Sequence, residues 1–237
     1  MTDAAAALTD FGLALEAALF AGLINPGRRV GGRQSDRGKS PQATLVRWFE
    51  LFFYAVAAAS LIGGAVHGFV PDQGTVAGRA LWIATMIAVG AAALAAWGIG
   101  ATIGLPARIA QVVVWAAGAE FALYAGAVFS GMRSFRGAII EYLPAALFLL
   151  LVFVLGYRRS RESGYLPGAL AMAITLLAAA VQQSSAAIDA LGLTHNALYH
   201  LIQGVGLWLL YMSARRLVES HAGGIDRPHR QNADRRD

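Results

Sequence analysis

The sequence predicts an all-α, polytopic membrane protein: a bundle of seven transmembrane helices with the N-terminus outside and the C-terminus in the cytoplasm. Three observations predict it. The 237 residues are 57% hydrophobic and only 14% charged, with a mean hydropathy of +0.54, where a soluble domain carries about a quarter charged residues. The apolar residues fall in long blocks, each near the roughly 20 residues that cross a bilayer's hydrocarbon core. The basic residues are divided unequally between alternate connections, which sets orientation.

The spans are expected at about 7–25, 46–69, 78–104, 107–130, 138–157, 165–185 and 195–214. The first reads as a retained helix rather than a signal peptide, because it lacks a basic leader and a small-residue cleavage site. It stops at Asn25-Pro26-Gly27, and a Gly/Arg-rich loop follows. The second begins with an aromatic-rich interfacial stretch and ends before Pro71; its Gly64 and Gly68 form a G-x-x-x-G of the kind that packs helices closely. A tight turn at Gly104-Leu105-Pro106 separates the third and fourth spans. The fifth follows Arg133 and Arg136, the sixth opens at Tyr165-Leu166-Pro167, and the seventh begins near Asn196. One transmembrane domain thus covers 1–217, and 218–237 is a polar cytoplasmic tail that reads as disordered.

With the N-terminus outside, 16 of the 19 Lys and Arg residues fall on the cytoplasmic side; only Arg79, Arg133 and Arg136 fall outside. The net charge of +5 and the pI near 10 therefore reflect basic cytoplasmic loops rather than nucleic-acid binding. The expected location is a bacterial-type inner membrane, and the expected partners are membrane lipids. The chain has no cysteine, which excludes disulfides, thiolate metal sites and cysteine nucleophiles. Its one lysine, Lys39, lies in a loop, so the chain is not a retinal pigment, which needs a Schiff-base lysine in the seventh helix.

Polar groups inside a bilayer are costly, so those within the spans are candidates for function. They are Asp10, Glu16, Glu50, Ser60, His67, Glu120, Gln182, Gln183, Asn196, His200 and Gln203. The topology collects many of them near the outer face. His67 ends the second span, His195, Asn196 and His200 open the seventh, Asp10 starts the first, and Asp189 follows the sixth. Asn196, His200 and Gln203 stand at i, i+4 and i+7 and share one helix face. Ser60 and His67 share a face of the second helix, and Gly63 and Gly64 leave room beside it. His195 is turned away from His200 on a regular helix, with Thr194 as a candidate N-cap.

Three histidines at one depth suggest zinc held by His67, His195 and His200 with an open position for water. Asp10, Glu16 or Asp189 would be the general base, and Gln203 or Ser60 would bind an oxyanion. Glu16 and Glu120 sit deeper, as proton-relay groups or as neutral acids bonded to a neighbouring helix.

The histidine ending helix two, paired with Asn196-Ala197-Leu198-Tyr199-His200-Leu201 opening helix seven, resembles the CREST superfamily of alkaline ceramidases, adipoQ-type receptors and related seven-helix membrane hydrolases. The resemblance implies a zinc-dependent hydrolase of a lipid amide or ester, with His67 and His200 as ligands. The sequence departs from that pattern at three places. Asn196 stands where the first histidine of the pair would be, with His195 displaced by one; Gly63 stands where a serine would be; helix three has no equivalent aspartate. Three further readings stay open: a non-enzymatic receptor-like, scaffold or assembly protein, b-type haem held by His67 and His200, and transport along a path through Glu16 and Glu120.

Overall fold

A computed structural model of the chain describes residues 3–24, 41–184 and 194–223. These residues form helices only: α1 (Ala4–Leu23), α2 (Pro41–Phe69), α3 (Val76–Gly104), α4 (Ala107–Ser130), α5 (Phe135–Ser160), α6 (Tyr165–Ser184) and α7 (His195–Gly223). Six are long and apolar enough to cross a membrane. The remaining one, α7, is 29 residues long but carries His200 and Gln203 in its second and third turns and a charged last third.

The expected spans correspond to these helices, with shifted ends. Helix α2 begins at Pro41, ahead of the expected 46, because proline's fixed φ suits the first helical turn, where no amide donor is needed. Helix α5 is longer at both ends: the Ser134 side chain caps the Gly137 amide, and the chain leaves the helix only at Arg161, in the left-handed region with φ 56°. Helix α7 continues past 214 and 217 to Gly223. Its last turns are amphipathic rather than disordered, with Leu217 and Val218 buried and Arg215 paired to Glu219 at 3.0 Å. The Ser213 hydroxyl and the Arg216 guanidinium donate to the carbonyls of Gly164 and Ser163, at 2.7 and 3.1 Å, and fix this end to the α5–α6 turn. The rest of the expected tail lies outside the described residues.

Successive packing runs α1–α2–α3–α5–α6–α7 and closes from α7 back to α1. Helix α4 stands outside this ring, against α3. Its outer face presents Val112, Trp115, Leu123 and Phe129, as expected where the surrounding solvent is lipid rather than water. The larger apolar core fills the half of the ring remote from the N-terminus of α1, around Phe49, Phe52, Phe53, Phe153 and Leu210. Glycines allow the helices to approach closely there. The Trp48 ring of α2 occupies the space a side chain at Gly98 would need, and Phe148 of α5 lies 2.6 Å from where a Cβ on Gly100 would be. A second cluster of Val66, Trp82, Met86, Tyr124, Val128 and Ala138 packs the other half. Between the two lies a space the apolar residues do not fill.

Candidate functional site

That space is a cavity of about 220 Å³ near the end of the bundle that carries the N-terminus of α1. Every helix except α4 contributes to its wall. Much of the wall is apolar: Leu13, Val56, Val89, Ile139, Leu143 and Leu176. The polar groups are Asp10, Ser60, His67, Thr85, Tyr142, Thr175, Gln182, Asn196, Tyr199, His200 and Gln203.

The centre of the polar part is a buried pair. Asp10 Oδ1 lies 3.2 Å from His200 Nε2, and His200 Nδ1 lies 3.2 Å from the Thr9 hydroxyl. Thr9 is also within hydrogen-bond reach of the Ala5 and Ala6 carbonyls, at 2.9 and 3.0 Å. A hydroxyl has a single proton. With it given to a carbonyl, Thr9 accepts from His200 Nδ1–H, and a second proton then lies between Nε2 and Asp10. Wherever that proton sits, the pair has no net charge, which suits burial in an apolar bundle. The Asp10 carboxylate uses the room left by Gly63, whose Cβ would lie 3.3 Å from Asp10 Oδ2. The absence of a side chain at 63 is therefore part of the site.

A second polar pair joins α6 to α7: Gln182 Nε2 donates to Asn196 Oδ1 at 2.7 Å. Beside the start of α1, Asp3 ties three helix ends together. Its backbone N–H donates to the His67 carbonyl at 3.1 Å. Its carboxylate accepts from the Ala6 amide and from the Thr194 hydroxyl, both at 2.9 Å. Partial burial opposes ionisation of Asp3, but these hydrogen bonds outweigh it and hold the carboxyl below its ordinary range. Thr194 in turn caps α7, accepting from the Ala197 amide at 3.3 Å.

Of the residues singled out from the sequence, Asp10, Ser60, His67, His200 and Gln203 share the cavity wall. Asn196, His200 and Gln203 present one face to it, as their spacing implies. Glu16 does not reach the wall; its carboxylate lies against α7 at Gly204, whose Cβ would be 3.0 Å away. His195 starts α7 and is also off the wall, although it lies within electrostatic reach of His67. Asp189 lies outside the described residues. Sequence reasoning missed Asp3, Thr9, Tyr142 and Tyr199. Asp3 carries a readable signal, an aspartate just before an alanine-rich helical run; the two tyrosines carry none.

Zinc needs at least three converging ligands. Both ring nitrogens of His200 are already engaged, Asn196 is bonded to Gln182, and His195 is off the wall. Among the described residues no three His, Cys, Asp or Glu side chains are grouped to hold a metal ion. As arranged, these residues do not present three converging ligands for the expected zinc.

The uncommitted groups are more telling. Tyr142 Oη, Gln203 Oε1 and Gln182 Oε1 are buried and have no hydrogen-bond partner. Buried polar atoms are nearly always satisfied, so these three leave hydrogen-bonding capacity unused among the wall residues.

Fold and site together define a multi-pass helical membrane protein with a cavity inside the bundle, whose wall combines apolar side chains with a set of polar ones. The chain belongs to a family of unknown function (DUF6962), whose profile matches residues 5–219. No curated protein and no solved structure matches it.

Proposed function

We propose that this protein is a seven-span, receptor-like membrane protein that binds an uncharged lipid-derived amphiphile in the cavity. The observation that carries this reading is the pair of unpartnered buried atoms, Tyr142 Oη and Gln203 Oε1, beside the self-neutralising Asp10–His200 pair. A phenol donates to a carbonyl, and an amide oxygen accepts from a hydroxyl or N–H. A hydroxyl, amide or ester head group supplies those partners, and the apolar wall takes its chain. A charged head would meet no free counter-charge and would lose its hydration.

Helix α7 is the seventh span: at 29 residues it is roughly 43 Å long and it closes the ring between α6 and α1. The N-terminus lies outside and the C-terminus inside, in keeping with the 16-to-3 division of basic residues. The membrane is the inner membrane of a bacterial-type cell.

The test is a thermal-shift series on detergent-purified protein with single-chain fatty alcohols, primary amides and fatty acids, combined with metal analysis of the same sample. Stabilisation by alcohols and amides but not by ionised acids is expected. A metal-dependent hydrolase is the second reading, favoured by His67, Asp10, Ser60 and His200 sharing one wall. Stoichiometric zinc, lost in both His67→Ala and His200→Ala, would replace the first reading with the second.

A further inference from the structure

At the end of the bundle opposite the cavity, two arginine-bearing segments are bound together. The C-terminus of α5 and the turn after it carry Arg158, Arg159 and Arg161, and the last third of α7 carries Arg215 and Arg216. The Ser213 hydroxyl donates to the Gly164 carbonyl and Arg216 Nη1 to the Ser163 carbonyl, at 2.7 and 3.1 Å. Gly164 permits this approach, since a Cβ there would lie 2.8 Å from the Leu217 side chain. The turn is also fixed from within: the Arg161 amide donates to the Tyr157 carbonyl at 3.0 Å, and the Glu162 amide to the Ser160 hydroxyl at 3.2 Å.

All five arginines are exposed. Arg215 is paired with Glu219 at 3.0 Å, and among the described residues the other four have no ion pair. Arg161 lies over the Tyr157 ring, 5.1 Å from its centroid. Arg216 uses one of its five N–H donors on Ser163. Glu162, whose Oε1 is buried, is the remaining carboxylate of these segments; with it ionised, the four unpaired arginines still leave three net positive charges. Tyr157 and Tyr165 bracket the turn, and tyrosine collects at head-group depth. Leu155 and Leu151 precede Arg158 by three and seven residues on one face of α5, and both are exposed. That face passes from apolar to cationic, as a bilayer leaflet passes from acyl chain to phosphate.

We propose that the junction of the α5–α6 turn with α7 binds an anionic phospholipid, its phosphate held by Arg216 and the arginines of the turn and an acyl chain lying along Leu155 and Leu151. Arg216 touches Ser163, two residues after Arg161, so the two segments present their guanidinium groups around one short stretch of backbone. A guanidinium grips a phosphate with two parallel N–H donors. Arg216 is already oriented by Ser163, which lessens the side-chain freedom lost on binding. A zwitterionic lipid would bring its own cation against the arginines, and free phosphate would gain nothing from the leucines. The site is separate from the cavity and independent of what the cavity binds.

Native mass spectrometry of the full chain in detergent, titrated with phosphatidylglycerol and with phosphatidylcholine of the same acyl chains, tests this. Phosphatidylglycerol is expected to bind about tenfold more tightly than phosphatidylcholine. Arg158→Gln and Arg216→Gln are each expected to weaken phosphatidylglycerol about fivefold. Arg108→Gln removes an exposed arginine from the start of α4, which packs against α3 and not against this junction, and is expected to leave binding unchanged. Inorganic phosphate is expected not to displace the lipid. Equal binding of the two lipids would overturn the proposal. So would an equal loss in Arg108→Gln, which would show diffuse surface charge rather than a site, and so would displacement by inorganic phosphate, which would show a free-anion site. Should Arg216→Gln not fold, Arg158→Gln, which breaks no hydrogen bond or ion pair among the described residues, decides alone.

Discussion

Asp10 of α1 and His200 of α7 come from opposite ends of the chain and meet at 3.2 Å, both almost wholly buried. The contact fastens the first helix to the last and puts a polar centre on the cavity wall. Asp10→Ala leaves His200 Nε2 without a partner in a buried site, and destabilisation of about 1–3 kcal/mol is expected. Asp10→Asn keeps a hydrogen-bonding group there, and the loss should be nearer 0.6 kcal/mol, the average for hydrogen bonds between membrane helices. Denaturant unfolding in detergent measures both. A double-mutant cycle with His200→Ala should show coupling, because the two side chains touch; additive losses would mean that the pair does not hold the helices together.

Asp3 gives the ring closure a pH dependence. Its carboxyl is held below the ordinary range by the hydrogen bonds from Ala6 and Thr194, which burial opposes but does not cancel. A group with a depressed folded-state pKa contributes stability that is present above its unfolded value, near 4, and is lost as pH falls through the lower folded value. The melting temperature should therefore decline in acid below about pH 4 through this group. Asp3→Asn should flatten that part of the profile while lowering stability at neutral pH by about 1 kcal/mol through the weakened cap and link. An acid limb unchanged in Asp3→Asn would assign the decline to other carboxylates.

Much of the scaffold is legible in the sequence because each physical constraint is local: about 20 apolar residues per long helix, and turns at Gly and Pro. The gathering of Asp10, Ser60, His67, His200 and Gln203 is legible too, because span order fixes depth and helical spacing fixes the face. What the sequence leaves out is the lateral arrangement. That α4 stands outside the ring depends on pairwise packing, such as Tyr124 over Gly90, which no periodicity encodes. The expectation that Glu16 reaches the site fails for the same reason: its turn of α1 faces Gly204 rather than the cavity.

Glycines mark the closest helix approaches, and their replacement should be costly in proportion to how little the neighbour can move. At Gly98 an added Cβ meets the fused ring of Trp48, a rigid body wedged between α2 and α3. Gly98→Ala should destabilise by about 1–3 kcal/mol, the usual cost of overpacking. At Gly12 and Gly126 a Cβ meets nothing within 4 Å. Alanine at those positions should be neutral or stabilising by up to about 1 kcal/mol, since it also improves helix propensity. Unfolding curves of the three variants, compared in one detergent, check the ordering.

The sharpest separation between a binding cavity and a merely structural one comes from Tyr142. Its hydroxyl is buried with no partner, so in the unliganded protein it contributes an unsatisfied group rather than a bond. Tyr142→Phe removes that group and leaves the ring in place. Stability without ligand should therefore hold or rise by about 1 kcal/mol, the lower end of the cost of an unmet buried polar group. Affinity for a fatty amide or alcohol should fall about tenfold, the equivalent of one lost hydrogen bond near 1.4 kcal/mol. Opposite signs in the two measurements are expected only if the hydroxyl serves a guest. A loss of stability without any change in affinity would make Tyr142 a packing residue whose partner lies within the fold.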